Sequence, residues 1–382
     1  MAARWDIFCR IVDNFGDAGV AWRLARMLAR EHALAVRLWI DEIRPLARFV
    51  PGVDAAREEQ RVDGIEIRHW RTPFADVVPA DVVVEAFGCG LPDRYLNALT
   101  QASPAPVWFV LAYLSAEPWV DGAHGLPSPH PKLPLTRRFW FPGFTDATGG
   151  LPREAGLLEA RDAFRRDATA REQLWKSIAL PVPAEGECRV SFYCYPGAPL
   201  PALFDAWADG DDRVTCLVPD GVAAGAIDEW TGGDVPHPGR PVSRGRLTLH
   251  SVPFLTQEGF DRLLWACDVN FVRGEDSFVR AQWAARPFVW HVYPQAGNAH
   301  HAKLDALLDR YVEGLDPPAA AAVRGFSRSW NGMAGIEGID DAWRAFAAAR
   351  PALLRHGEQW SARLADLPEL AAGLVKGAAD RL

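Results

Sequence analysis

Residues Asn270–Asn298, NFVRGEDSFVRAQWAARPFVWHVYPQAGN, decide how the rest of the chain is read. The apolar run Val269 to Val272 reads as a strand, Arg273-Gly274-Glu275-Asp276-Ser277 as a turn, and Phe278 to Ala285 as a helical segment stopped by Pro287. A second strand follows from Phe288 to Val292. A strand that turns through Gly into a helix start leaves backbone N–H groups facing the turn. Those donors and the helix dipole favour an anion such as a diphosphate, and Arg273 adds fixed positive charge beside them. Asp276 or Ser277 equally suits a plain helix cap, with Glu275 as first-turn charge. The balance shifts because the next strand also ends in a polar loop, Tyr293-Pro294-Gln295-Ala296-Gly297-Asn298. Two consecutive strand ends with polar loops point to a site at the carboxyl edge of a parallel sheet.

Working outward, the same series contains strands at Arg189 to Tyr193, Val214 to Val218 and Leu247 to Val252. Tyr193 ends the first of these, beside Phe192 and Tyr195, and Phe254 and Phe260 bracket Gln257 just after the last. Aromatic residues more often fill a core than stack on a base. If these strands are parallel, however, their ends share an edge with Arg273 to Ser277, which places a planar base beside its phosphates. Helices are expected from Ala299 to Gly314 and from Ala319 to the carboxyl terminus.

An earlier alternating series opens the chain. Trp5 to Val12 reads as a strand and Ala18 to Glu31 as an amphipathic helix, with Val20, Leu24, Met27 and Leu28 on one face. Strands follow at Ala35 to Ile40, Ile65 to His69, Val82 to Phe87 and Val107 to Ala112, with helical segments near Ile43 to Phe49 and Pro92 to Thr100. Ser115 to Leu151 breaks this rhythm with Pro, Gly and aromatic residues and reads as a long functional loop. After a helix near Arg153 to Ser177, Ala179 to Glu187 reads as a linker. The expected architecture is α/β: two facing Rossmann-like domains with a cleft between them, residues 1–180 and 186–358, the last helix (about 360–382) packing back on the first.

Composition narrows the function classes. At 382 residues two domains are the natural expectation, and 49% hydrophobic with 24% charged residues describes a soluble globular chain. No apolar run approaches the ~20 residues needed to cross a bilayer, and the amino terminus lacks the apolar core of a signal peptide, so a cytoplasmic location is expected. The six cysteines are scattered without paired spacing and read as buried free thiols. A net charge of −8 argues against broad nucleic-acid binding.

Asp13 and Asp17 flank a tight turn, Asp13-Asn14-Phe15-Gly16-Asp17, between the first strand and helix. Asp17 as a helix cap and Asp13 as a turn residue is one reading. The other turns two carboxylates toward the cleft, where one can act as a general base. His300-His301 is a poor metal pair, since adjacent helical residues point apart and no acidic partner precedes them at helical spacing. No GxGxxG or P-loop pattern occurs, which removes the main support for nicotinamide oxidoreductases and NTPases.

The runs IFCRIVDNFGDAGVAWRLAR (7–26) and PFLTQEGFDRLLWACDVNFVRGEDSFVRAQWAARPFVWHVYPQ (253–295), with the order of elements, resemble the arginine rhamnosyltransferases that modify bacterial elongation factor P. The likeness covers essentially the whole chain. It implies a GT-B fold and inverting transfer of L-rhamnose from dTDP-β-L-rhamnose to an arginine side chain of elongation factor P. It also implies that Asp13 and Asp17 are the acidic pair at the reaction centre. Tyr193, Phe254, Gln257, Phe260, Arg273, Glu275, Asp276, Ser277 and Tyr293 are then expected around the nucleotide sugar. No metal or other cofactor, no nucleic acid and no membrane are expected to take part. The competing readings are a GT-B transferase with another acceptor, which predicts a membrane-docking apolar patch, and a non-catalytic nucleotide-sugar-binding protein, which needs no acidic pair.

Overall fold

Strand β1 (Arg4–Cys9) is buried at every position but its first, as befits a strand covered on both faces. It lies between two parallel partners, β2 (Ala35–Ile40) and β5 (Val82–Ala86). With β3 (Glu59–Val62), β4 (Ile65–His69), β6 (Val107–Leu111), β7 (Pro127–Pro129) and β8 (Thr136–Trp140) it forms a sheet of order β3-β4-β2-β1-β5-β6-β8-β7. Only the edge strands β3 and β7 run antiparallel to their neighbours. The chain enters at the centre, winds outward through β2 and β4, and then crosses back to β5. The strand order therefore reverses between β1 and β5, which opens a crevice at their carboxyl ends.

The second sheet repeats this logic. Its strands are β9 (Glu187–Phe192), β10 (Arg213–Pro219), β11 (Val242–Arg244), β12 (Leu247–Val252), β13 (Val269–Arg273) and β14 (Phe288–His291), ordered β11-β12-β10-β9-β13-β14. All pairings but β11 with β12 are parallel. Here the order reverses between β9 and β13, so the ends of these two strands flank the crevice. The computed structural model describes residues 3–335 and 337–381. Among them no helix is long and apolar enough to cross a membrane.

Two compact units emerge, Met1–Ala155 with Leu364–Leu382, and Gly156–Arg363. The boundary thus falls well before the expected one near residue 180. Helix Leu157–Arg166 is the reason: Arg161 donates to Trp283 O at 2.9 Å, Arg165 donates to Ala284 O, and Phe164 packs on Trp265. These carbonyls end helix Asp276–Ala284, and they take cations in place of intrahelical donors. At the other end of the chain, Leu370 N–H donates to Leu151 O within the first unit.

Other differences are local. Ser115 to Leu151 is not all loop, since it supplies β7, β8 and the short helix Trp119–Ala123. The polar run Thr136-Arg137-Arg138 hides β8, although Arg137 pairs with Trp108 in register. The expected helix near 153–177 is two, broken at Asp167, whose side chain caps the second. The carboxyl-terminal helix is three: Pro317–Trp330, Ile339–Ala365 and Leu370–Ala379. All six cysteines are free, and only Cys89 is not fully buried.

Candidate active site

In the first unit, the crevice side of β1 runs into helix Asn14–Glu31 through Arg10–Asp13. Asp17 is wholly buried in the first turn of that helix. It does not act as the N-cap. Its Oδ2 reaches backward instead and accepts from Val12 N–H and Asp13 N–H, each at 2.8 Å. Asp13 takes the N-cap position without a side-chain capping bond, and its carbonyl accepts from Gly16 N–H at 2.7 Å. Gly16 leaves room for the Asp13 carboxylate, since a Cβ there would stand 2.6 Å from Asp13 Oδ2 and displace that side chain. The turn therefore fixes two carboxylates, one clamped by backbone donors and one, Asp13, half-buried.

In the second unit, Arg273 closes β13 and its guanidinium is held from two sides. Nη1 donates to Cys194 O at 2.7 Å, and the guanidinium carbon lies 4.9 Å above the Tyr195 ring, which itself meets Tyr293 edge-on at 5.3 Å. Ser277 caps nothing. Its hydroxyl donates to Arg273 O and accepts from Arg273 N–H, which closes the turn before helix Asp276–Ala284. Glu275 is the N-cap residue, again without a side-chain capping bond. Its buried carboxylate instead accepts from Lys303 Nζ at 3.0 Å. Lys303 thereby offsets the charge that Glu275 brings to the start of this helix. Asp276, in the first turn, lies 3.5 Å from Gln257 Nε2. The first turn of this helix thus lies at the carboxyl edge of the sheet, with Arg273 at the end of the strand before it.

Neighbouring strand ends add a largely apolar wall. Tyr193 and Phe260 meet edge-on with centroids 5.2 Å apart, and Tyr193 N–H donates to Phe271 O, so β9 and β13 carry their loops side by side. Phe254 lies half-buried in the loop after β12, ahead of Thr256, which caps helix Gln257–Ala266. Burial raises the Tyr193 hydroxyl above its usual range, with Arg273 opposing the shift. Behind Arg273, His291 Nδ1 accepts from Tyr195 N–H at 3.1 Å. Burial, then Arg273 and His300, push the His291 imidazole down to about 4, so it stays neutral. His300 and His301 are ring neighbours at 4.4 Å, and His300 Nδ1 accepts from Gln295 N–H.

The family model described as Elongation-Factor P (EF-P) rhamnosyltransferase EarP matches residues 5–378. The chain belongs to this family. Among EarP relatives, the protein-arginine rhamnosyltransferase of Pseudomonas putida is 46% identical over 98% of both chains. That of Pseudomonas aeruginosa is 42% identical over 100% of both. A solved chain, described as the structural basis for EarP-mediated arginine glycosylation of translation elongation factor EF-P, is 36% identical over 100% of both chains with a TM-score of 0.71. The EarP architecture is GT-B, two Rossmann-like units built on parallel-dominated sheets.

The structure also brings forward residues that the sequence reading passed over. Phe87 and Tyr113 stand just beyond the ends of β5 and β6, with their rings stacked at 4.4 Å and 13°. The Tyr113 hydroxyl donates to Asp17 Oδ1 at 3.3 Å. Parallel order alone carries the signal, since residues just past neighbouring parallel strands share one edge. Lys303 had no comparable signal, because only the packing of helix His300–Tyr311 brings it to Glu275.

Proposed function

We propose that this protein transfers L-rhamnose from dTDP-β-L-rhamnose to an arginine side chain of elongation factor P, with inversion and without a metal or other cofactor. The observation that carries the reading is the Asp17 carboxylate, clamped by two backbone N–H groups at the strand-order reversal of the first sheet. A protein that only bound the nucleotide sugar would need no such group. The second unit supplies the complementary part, a turn with Arg273 and a helix N-terminus for the leaving diphosphate, beside Tyr193, Phe254, Gln257 and Phe260 for the base.

The chemistry constrains the roles. A guanidinium has a pKa above about 12 and an Asp near about 3.9, so full proton transfer before reaction would cost on the order of 12 kcal/mol. Asp17 therefore holds the guanidinium and takes its proton only as the bond forms. The nitrogen lone pair attacks the anomeric carbon, the bond to the diphosphate oxygen breaks with its electron pair, and the nitrogen's proton passes to Asp17. A single displacement of this kind inverts the centre. Negative charge gathers on the diphosphate, where Arg273 and the N–H groups of the first turn of helix Asp276–Ala284 meet it in place of a metal. Asp13 stands beside Asp17 and shares the cationic acceptor.

Incubation of the purified protein with dTDP-L-rhamnose and elongation factor P tests the reading by mass spectrometry. One added deoxyhexosyl residue on an arginine is expected. Donor binding without modification of the factor would leave a sugar-binding protein or a transferase with another acceptor.

A further inference from the structure

We propose that Tyr113, braced by Phe87, belongs to the acceptor site: its hydroxyl orients Asp17 Oδ1, and its ring is the face over which the acceptor guanidinium reaches that carboxylate. The inference rests on the reading of Asp17 as the base. Asp17 is wholly buried, and Val12 and Asp13 hold its Oδ2. A cation that is to meet this carboxylate passes the group at Oδ1, and Tyr113 stands there at 3.3 Å. Tyr113 is also one of the chain's exposed large hydrophobic residues, 36% accessible, although its neighbours Leu111 and Leu114 are buried. An exposed aromatic residue beside a buried anion is the pairing that suits a guanidinium, which stacks on a ring while its N–H groups bond the carboxylate.

Phe87 is the independent observation. Its φ is +58°, a left-handed conformation that strains a bulky side chain and that Gly would adopt freely. The chain keeps Phe at this position, and its ring covers one side of Tyr113 at 4.4 Å and 13°. Strain held at a strand end beside a reactive group has a use if the stack fixes the Tyr113 hydroxyl.

Three variants, with Asp17→Asn as reference, separate this role from a structural one. Tyr113→Phe keeps the ring and should lower kcat by roughly fivefold to tenfold through loss of one hydrogen bond, with little change in acceptor KM. Tyr113→Leu also removes the face and should raise acceptor KM by roughly fivefold to tenfold more. Phe87→Gly relieves backbone strain, so it should melt near the wild type yet lose turnover. dTDP affinity by calorimetry should stay unchanged in all three. If Tyr113→Leu retains wild-type kcat and acceptor KM while Asp17→Asn is inactive, the assignment of Tyr113 is wrong and that of Asp17 stands. If folded Asp17→Asn is itself active, the reading underneath has failed. A Phe87→Gly variant that melts low in proportion to its lost turnover would make the stack structural.

Discussion

Asp17 and Asp13 lie four residues apart, yet the first helical turn gives them different work. Asp17 has its Oδ2 fixed by Val12 and Asp13 N–H, so an amide in its place keeps the shape and an acceptor oxygen but cannot take a proton. Asp17→Asn should therefore abolish transfer while calorimetry shows nearly unchanged dTDP-rhamnose affinity, because the donor contacts proposed above lie in the second unit. A folded variant that still rhamnosylates at the wild-type rate would remove Asp17 as the base. Gly16 offers a test of Asp13 without touching a carboxylate. Ala is worth about 0.5 to 1 kcal/mol more than Gly inside a helix, but its Cβ would fall 2.6 Å from Asp13 Oδ2 and move that side chain. Gly16→Ala should melt at or above the wild-type temperature and lose roughly tenfold to a hundredfold in kcat, the cost of about an ångström of misplacement. Full activity would show that the position of Asp13 does not matter.

At the scale of the element, the turn from β13 into helix Asp276–Ala284 combines a guanidinium already oriented by Cys194 O and the Tyr195 ring with a helix N-terminus whose N-cap residue, Glu275, makes no side-chain capping bond. Arg273→Ala should weaken dTDP binding by about 1.5 to 3 kcal/mol and thymidine hardly at all, since only dTDP carries the charge that this group meets. Equal losses in calorimetry would make Arg273 structural. This turn was readable in sequence because a strand, a Gly and a helix start follow one another there. So were β2, β4 and β12, whose expected bounds match their strands residue for residue. The antiparallel edges β3 and β11 were not, since Glu59-Gln60-Arg61-Val62 and Val242-Ser243-Arg244 are short and polar and gain strand form only by pairing. The capping readings missed Asp17 and Ser277 because both side chains bond backward across a turn, a choice that tertiary geometry makes. His291 adds a pH dependence. The unfolded imidazole titrates near 6.5 and the folded one near 4, so between these values the unfolded chain binds the proton and the folded chain does not. Stability contributed at neutral pH is then lost as pH falls through 6.5, by on the order of 2 kcal/mol at about pH 5, and levels off below about 4. His291→Asn, which keeps an acceptor for Tyr195 N–H, should flatten urea-unfolding stability between these pH values; an unchanged slope would assign it to other groups.

At the scale of the whole molecule, the first unit is completed by the last stretch of the chain. Leu370, Ala371, Leu374 and Ala378 of helix Leu370–Ala379 are buried, Glu369 caps that helix and bridges to Leu151, and Arg153 donates to Ala365 O at 2.8 Å. Gly150 makes this return possible. Its φ is +66°, and a Cβ there would lie 1.7 Å from Pro368 O. Backbone on both sides leaves neither partner a side chain to swing away, so Gly150→Ala should cost about 3 kcal/mol or more through left-handed strain and overpacking together. In a unit of this size that corresponds to a fall of roughly 6 to 12 °C in melting temperature. Because Arg273, Phe260 and Tyr193 all lie within Gly156–Arg363, dTDP affinity measured below the transition should stay at the wild-type value while the first unit unfolds early. Melting at the wild-type temperature would mean that the contact at Pro368 yields without cost. A parallel loss of dTDP affinity would mean that the second unit depends on the first for its binding form, and calorimetry on the Ala variant distinguishes the two outcomes.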